Sequence, residues 1–327
     1  QKYISYTEMF PDATENTKLS DEIQNVFSLF FQQFDYKILD VSVDEDKKNA
    51  QASLDLTTID AKSLAADFAA ELLRTKITET AQAKTGNIKD SSKSLEGHYL
   101  ILNQLLTNNK YDSTVTDSTI QLTNKGNGKK EKWEIRRNYS LENDLVGGLI
   151  SYLSDNNLLS PEETLTIYLN TLKSMNTEQM GDYLGIESLL NTSDSDKNSI
   201  ASVLVEQVHQ NFDFKITSCE EQGYTATIST EITTFDSSAI LNTFSEEQDA
   251  YLSSADAVID GSEKRYQKTL EMLLNDIENN AATITSTADF HLTNDGVSWK
   301  LDDSNTTIGN AIFGTLSSSP VNEETAK

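Results

Sequence analysis

A strand pair that occurs twice constrains this chain more than any other feature. The first copy opens with Phe34-Asp35-Tyr36-Lys37-Ile38 and closes with Thr57-Thr58-Ile59-Asp60. The second opens with Phe212-Asp213-Phe214-Lys215-Ile216 and closes with Thr233-Thr234-Phe235-Asp236. Two copies in one order imply two homologous domains in tandem. A length of 327 residues is enough for each to bury its own core.

The flanking patterns repeat as well. Ahead of the first pair, Ile23, Val26, Phe27, Phe30, Phe31 and Phe34 recur at helical spacing. Ahead of the second, Ala201, Leu204, Val205, Val208 and Phe212 do the same. Each pair is followed by helical stretches and then by two further strands. Leu122-Thr123-Asn124-Lys125-Gly126 is answered by Leu292-Thr293-Asn294-Asp295-Gly296, Trp133 by Trp299, and Asn143 and Gly147 by Asn310 and Gly314. The offset drifts from 178 residues at Phe34/Phe212 to 166 at Trp133/Trp299, as a few loop positions come and go. Alternation in Ala52, Leu54 and Leu56 against Gln51, Ser53 and Asp55 predicts one buried and one wet sheet face. The expected fold is α+β, with an antiparallel sheet packed on helices in each domain. The first domain is expected over 1–155, the second over 160–317, and a C-terminal tail over 318–327. Residues 1–17 are expected to be irregular, and one amphipathic helix is expected through Leu141, Leu145, Leu149 and Leu153.

Between the domains, Ser160-Pro161-Glu162-Glu163 starts a helix. Ser160 is placed to cap, Pro161 suits the first helical position, and Glu163 completes a capping box. This helix has no counterpart in the first copy, where its equivalent would precede Gln1. The first repeat is therefore read with its leading helix absent.

Charge narrows the partners. Acidic residues outnumber basic ones 52 to 26, a net charge of −26, which disfavours nucleic acid because phosphate binding needs a cationic face. The imbalance is uneven. Residues 1–160 carry 18 basic and 24 acidic side chains, and residues 161–327 carry 8 and 28. A single cysteine, Cys219, excludes an internal disulfide; it answers Val41 of the first copy and is expected to be a small core residue. No apolar run reaches the length of a membrane span, and no leader pattern is present. The chain begins at Gln1 rather than methionine, so removal of an upstream segment is expected.

The order of helices, two strands, long helix, two strands and short helix resembles the cystatin-like cone fold of the nuclear-transport-factor-two-like superfamily. More narrowly, the segment from Ser160 to Gly185 resembles the opening of a domain found in surface lipoproteins of Gram-positive bacteria. The Thr57–Asp60 and Thr233–Asp236 corners resemble that family's strand-to-helix junction. The resemblance implies two tandem cone domains and a lipid anchor upstream of Gln1. It implies extracellular display, without any general catalytic activity to carry over.

Residue by residue, no catalytic constellation emerges. Asp60 and Asp236 are kept in both copies, but an aspartate where a strand meets a helix is a helix cap first. Asp35 and Asp213 sit beside alternating aromatics and belong to the outward strand face. His98, His209 and His291 occupy unrelated places without metal-ligand spacing. No catalytic residue, metal site or cofactor is expected, and the function reading leans to a non-enzyme. Trp133 and Trp299 are candidates to line a concave pocket, although an aromatic kept in both copies more often anchors a core. Residues 125–137 are the most distinctive surface feature, with Lys125, Lys129, Lys130, Lys132, Arg136 and Arg137 against Glu131 and Glu134. Lys129, Lys130, Lys132, Arg136 and Arg137 are the candidate contacts to an anionic surface. The expectation is a non-catalytic binding or scaffolding module that meets cell-wall polymer or another envelope protein. A small-molecule-binding or hydrolytic domain using the concave sheet is the alternative.

Overall fold

A computed structural model describes residues 9–10, 20–82, 91–126, 130–186 and 194–318. It is α+β, with two four-stranded antiparallel sheets, in spatial orders β1-β2-β3-β4 and β5-β6-β7-β8. The chain divides into two compact units, Gln1–Lys76 with Lys89–Leu159, and Ile77–Ile88 with Ser160–Lys327. The expected irregularity of residues 1–17 lies outside the described residues, apart from Met9 and Phe10.

In the first unit, α1 (Ser20–Phe30) leads into β1 (Asp35–Val43) and β2 (Asn49–Ile59). Then follow α2 (Ala61–Gln82), whose residues from Ile77 on fall in the second unit, α3 (Leu95–Asn108), β3 (Ser113–Asn124) and β4 (Trp133–Ile135). The unit ends with α4 (Tyr139–Leu145) and α5 (Leu149–Leu153). The apolar stripe of α1 does what its spacing predicts. Val26, Phe27 and Phe30 are buried together with Phe68 of α2, Tyr99 and Leu102 of α3, and the Met9–Phe10 pair. Asp60 opens α2, accepting from the Ser63 amide at 3.1 Å and from the Ser63 hydroxyl at 2.7 Å. Those contacts hold its carboxyl below the usual range.

The helix expected through Leu141–Leu153 is two helices. Gly147 and Gly148 between them adopt φ of 64° and 88°, which interrupts the helical ladder. A Cβ on Gly147 would also stand 2.6 Å from the Thr58 hydroxyl oxygen. The break therefore lets the chain lie close against the end of β2.

The second unit adds two helices before its strand pair: α6 (Pro161–Ser174) and α7 (Thr177–Leu184). They precede α8 (Asp194–Asn211), β5 (Asp213–Gln222) and β6 (Thr225–Phe235). Beyond the pair come α9 (Ser237–Leu252), α10 (Ala255–Ile259), α11 (Ser262–Glu278), β7 (Thr283–Asn294), β8 (Trp299–Leu301) and α12 (Ser304–Phe313). Asp236 caps α9, accepting from the amides of Ser238 at 3.0 Å and Ala239 at 3.1 Å. The two corner aspartates thus share one structural job.

The repeat extends to the ladders. In β1 the register slips between Ile38 and Asp40, and in β5 between Ile216 and Ser218, so both edge strands bulge at the matching residue. Facing residues across antiparallel strands share a side of the sheet. Tyr36, Ile38, Val41 and Val43 therefore lie with Leu56, Leu54, Ala52 and Ala50. Phe214, Ile216 and Cys219 lie with Ile232, Thr230 and Ile228 on the matching side of the second sheet. The other side carries Asp35, Lys37, Asp55 and Asp117 in the first sheet, and is wet as expected.

Candidate functional site

The two sheets differ most in what covers their apolar sides. In the second unit α6 packs against β5, β6 and β8, while α12 packs on β6 and β7. The start of α6 is set locally. The Ser160 hydroxyl accepts from the Glu163 amide at 3.1 Å, and the Glu163 carboxylate accepts from the Ser160 amide at 2.7 Å. Pro161 occupies the first turn, where its missing N–H costs nothing. Leu165, Leu169 and Leu172 of α6 are fully buried, as are Ile228, Thr230 and Ile232 of β6 and Phe290 of β7.

The ends of α6 are tied to β5 by polar contacts. Lys173 Nζ donates to Asp213 Oδ1 at 2.7 Å and lies 5.5 Å and 5.1 Å from the ring centres of Phe212 and Phe214. At the other end the Glu162 carboxylate meets the Cys219 thiol. From the middle, the half-buried Tyr168 reaches the backbone of Leu301 in β8, and burial pushes its hydroxyl pKa up.

In the first unit α4 packs on β2 and β3, and Ser118 Oγ donates to Asp144 Oδ2 at 2.6 Å beneath it. No described helix lies along β1. Tyr36, Ile38, Val41 and Val43 are consequently 58%, 55%, 53% and 50% exposed. Their counterparts Phe214, Ile216 and Cys219 are half-buried. A solvent-facing apolar strip of this length on a folded unit calls for an explanation. Sequence reasoning did not locate it, although the signal was present in the missing counterpart of the Pro161 helix.

One trio of potential ligands converges among the described residues. Glu162 of α6 and Cys219 and Glu221 of β5 bring their ligand atoms within 4.8 Å of one another. Burial, then the Glu162 carboxylate and the Glu221 charge, push the thiol up to about 11. At neutral pH the group is a protonated thiol donating to a carboxylate, which makes it neither a nucleophile nor a ready metal ligand. The expectation of a core cysteine is thus revised: Cys219 is half-buried under the first turn of α6.

Two cations of the predicted basic hairpin are paired, and so are its two acids. Lys132 Nζ lies 2.7 Å from Glu134, Lys47 Nζ lies 3.7 Å from Glu131, and Arg137 bonds Glu142 at the start of α4. Lys130 and Arg136 are exposed, whereas Lys129 lies outside the described residues. Trp133 is half-buried and donates from Nε1 to Glu131 at 3.3 Å, but Trp299 is only 4% exposed. The difference follows from α6, which packs on the strand holding Trp299.

The histidines stand apart in their bonding. His98 Nε2 lies 3.0 Å from the Ser92 carbonyl, His209 Nε2 lies 2.9 Å from the Met175 carbonyl, and His291 Nδ1 lies 3.1 Å from the Thr227 hydroxyl. Other shifted groups have local causes. Asp260, 7% exposed, is held well below the carboxylate range by Lys264 at 2.6 Å and Lys268 at 2.7 Å, with the Tyr251 hydroxyl donating at 2.9 Å. Just before it, Val258 and Ile259 of α10 are 83% and 81% exposed. Asp276 of α11 is pushed up by burial and by Glu247. A catalytic site needs a nucleophile or base, an orienting partner and stabilising donors around one point. The described residues do not bring such a set together.

Comparison with known proteins adds little. No family model matches the chain, and no curated protein matches it. Among solved structures, a candidate lipoprotein (ycdA) of Bacillus subtilis subsp. subtilis str. 168 is similar at a TM-score of 0.30 and 12% identity, over 85% of this chain and 95% of that one. A likeness of that size carries no argument about family or function. No helix among the described residues is long and apolar enough to cross a membrane.

Proposed function

We propose that the chain is the exported part of a Gram-positive cell-surface lipoprotein and acts as a non-catalytic binding or scaffolding module. It is built from two tandem cystatin-like cone domains. One observation supports this best: the helix-covered side of the second sheet is filled by its own side chains. Ile228, Thr230, Ile232, Phe290 and Phe313 are fully buried there, and Trp299 and Leu301 are nearly so. A small-molecule site needs concave space with a few convergent polar groups. Here leucines of α6 and aromatics of the sheet occupy that space. The envelope address rests on the resemblance of the capped Ser160–Gly185 segment to surface lipoprotein domains, with a lipid anchor carried upstream of Gln1.

The partner is a wall polymer or another envelope protein, met in part through the hairpin that carries Lys130 and Arg136. Co-sedimentation with purified cell-wall fragments at low and moderate salt tests this. Retention that weakens with salt, and weakens further when Lys125, Lys129, Lys130 and Lys132 are all changed to glutamine, is the expected result. Equal retention of the parent and the glutamine variant rules out the hairpin. Turnover of any ester, glycoside or peptide by the purified chain overturns the non-catalytic reading.

A further inference from the structure

The repeat carries a comparison that the chain makes with itself. In the second unit the apolar side of β5 is covered by α6, and in the first unit no described helix covers the matching side of β1. Most of the rest of the seat is kept, with Val43 standing where the second copy has Glu221. The strands bulge at the same residue, Ile38/Asp40 in one and Ile216/Ser218 in the other. Tyr36, Ile38 and Val41 take the places of Phe214, Ile216 and Cys219, and Ile135 that of Leu301. Even the anchoring acid is present. Asp213 accepts from its own neighbour's amide and from Lys173 of α6. Asp35 accepts from the Tyr36 amide at 2.8 Å and makes no ion pair among the described residues.

We propose that this face of the first sheet is the seat of an amphipathic helix of the α6 kind, carried by polypeptide that precedes Gln1. Its expected chemistry follows from α6. An acid-rich capped first turn lies over Val41 and Val43. Leucine-type residues at the spacing of Leu165, Leu169 and Leu172 lie over Ile38 and Ala52, and a lysine or arginine in the last turn reaches Asp35. The order of the repeat sets the source. At the 178-residue offset that relates Phe34 to Phe212, both Pro161 and Ser174 map ahead of residue 1. An edge strand with an open apolar side is a liability that folded proteins cover, and a tethered helix covers it at high effective concentration.

The inference goes beyond the proposed function and stands or falls separately from it. The test compares chain 1–327 with a chain extended through its native upstream reading frame. Both carry Val41→Cys in a Cys219→Ser background, and maleimide labelling of residue 41 is timed. The expected result is labelling about tenfold or more slower in the extended monomer, since a docked helix must open before the thiol is reached. Hydrogen exchange along β1 of the unsubstituted chains gives the same readout if the double variant folds poorly. Three results overturn the proposal. One is an upstream sequence without a capped apolar stripe, and another is equal labelling and exchange in both chains. The third is protection of β1 in chain 1–327 together with a dimer by light scattering, which would assign the seat to a second copy.

Discussion

Lys173 holds Asp213 at 2.7 Å and lies over the rings of Phe212 and Phe214, so the last turn of α6 is pinned to the first residues of β5. The pair is partly open to water, with side-chain exposures of 36% and 77%. Screening therefore leaves the charge pair worth little. The ring contacts add a further contribution of cation–π character. Lys173→Ala is expected to lower stability by about 0.5–1 kcal/mol. Urea titration followed by far-UV circular dichroism should show a lower midpoint with an unchanged slope. No change at all would mean that the apolar stripe of α6 holds the helix alone.

That stripe contributes more than the charged contact. Leu169 is fully buried against the second sheet, and Leu169→Ala should cost about 2–5 kcal/mol through lost burial and the cavity left behind. Ile38, which is 55% exposed on the bare side of the first sheet, should tolerate the same change within about 0.5 kcal/mol. Two truncations of similar size, one in the helix that covers β5 and one on the exposed side of β1, thus predict unequal losses. Equal losses in the denaturant midpoint would refute the asymmetry between the sheets.

Much of this architecture is legible in the sequence because it is written twice. The strand pairs, the corner caps Asp60 and Asp236, and the capping box of Ser160 and Glu163 all follow from local chemistry. The break between α4 and α5 does not. Leu141, Leu145, Leu149 and Leu153 keep helical spacing, and the positive φ values of Gly147 and Gly148 override it. Unequal burial of Trp133 and Trp299 is equally hidden. The two residues match in sequence, and α6 packs on the strand that holds Trp299. Contacts such as Glu162 with Cys219 join residues far apart in the chain, and only the packing of α6 on β5 brings them together.

The start of α6 gives a third test. Ser160→Ala removes the acceptor for the Glu163 amide and leaves a helix-terminal donor to water. A loss of about 1 kcal/mol is expected, with Ser160→Asp restoring most of it by capping and by the favourable end of the helix dipole. Thermal unfolding of the three proteins under one buffer checks the order. A Ser160→Asp variant no more stable than Ser160→Ala would count against the cap.

pH acts on the first unit through His98. Its ring stands 4.9 Å from Phe10 and 5.6 Å from Phe68, and Nδ1 is buried without a hydrogen-bond partner among the described residues. Burial lowers its pKa below 6.5, opposed in part by the Ser92 carbonyl. The unfolded chain therefore takes up a proton at a pH where the folded chain resists it. Stabilisation from the neutral ring is fully present above 6.5 and is lost as pH falls below that value. The urea midpoint should be lower at about pH 5 than at about pH 7.5, and His98→Gln should flatten the difference. A parent and variant with the same pH slope would place its origin elsewhere.

The thiol of Cys219 gives the most local readout of the α6 contact. Burial, Glu162 and Glu221 raise its pKa to about 11 from 9.0. A rise of that size cuts the thiolate fraction at neutral pH about hundredfold. A more basic thiolate is also a better nucleophile, and that recovers part of the loss. Alkylation by iodoacetamide should therefore run about tenfold slower than for an exposed reference cysteine, before any steric shielding. Glu162→Gln removes the anion that raises the thiol and should speed the reaction several-fold while leaving the fold intact. Lys173→Ala, at the far end of α6, should leave the rate nearly unchanged unless it frees the whole helix. Equal acceleration by both variants would show that α6 lifts from β5 as one body; acceleration by neither would detach the thiol's chemistry from Glu162.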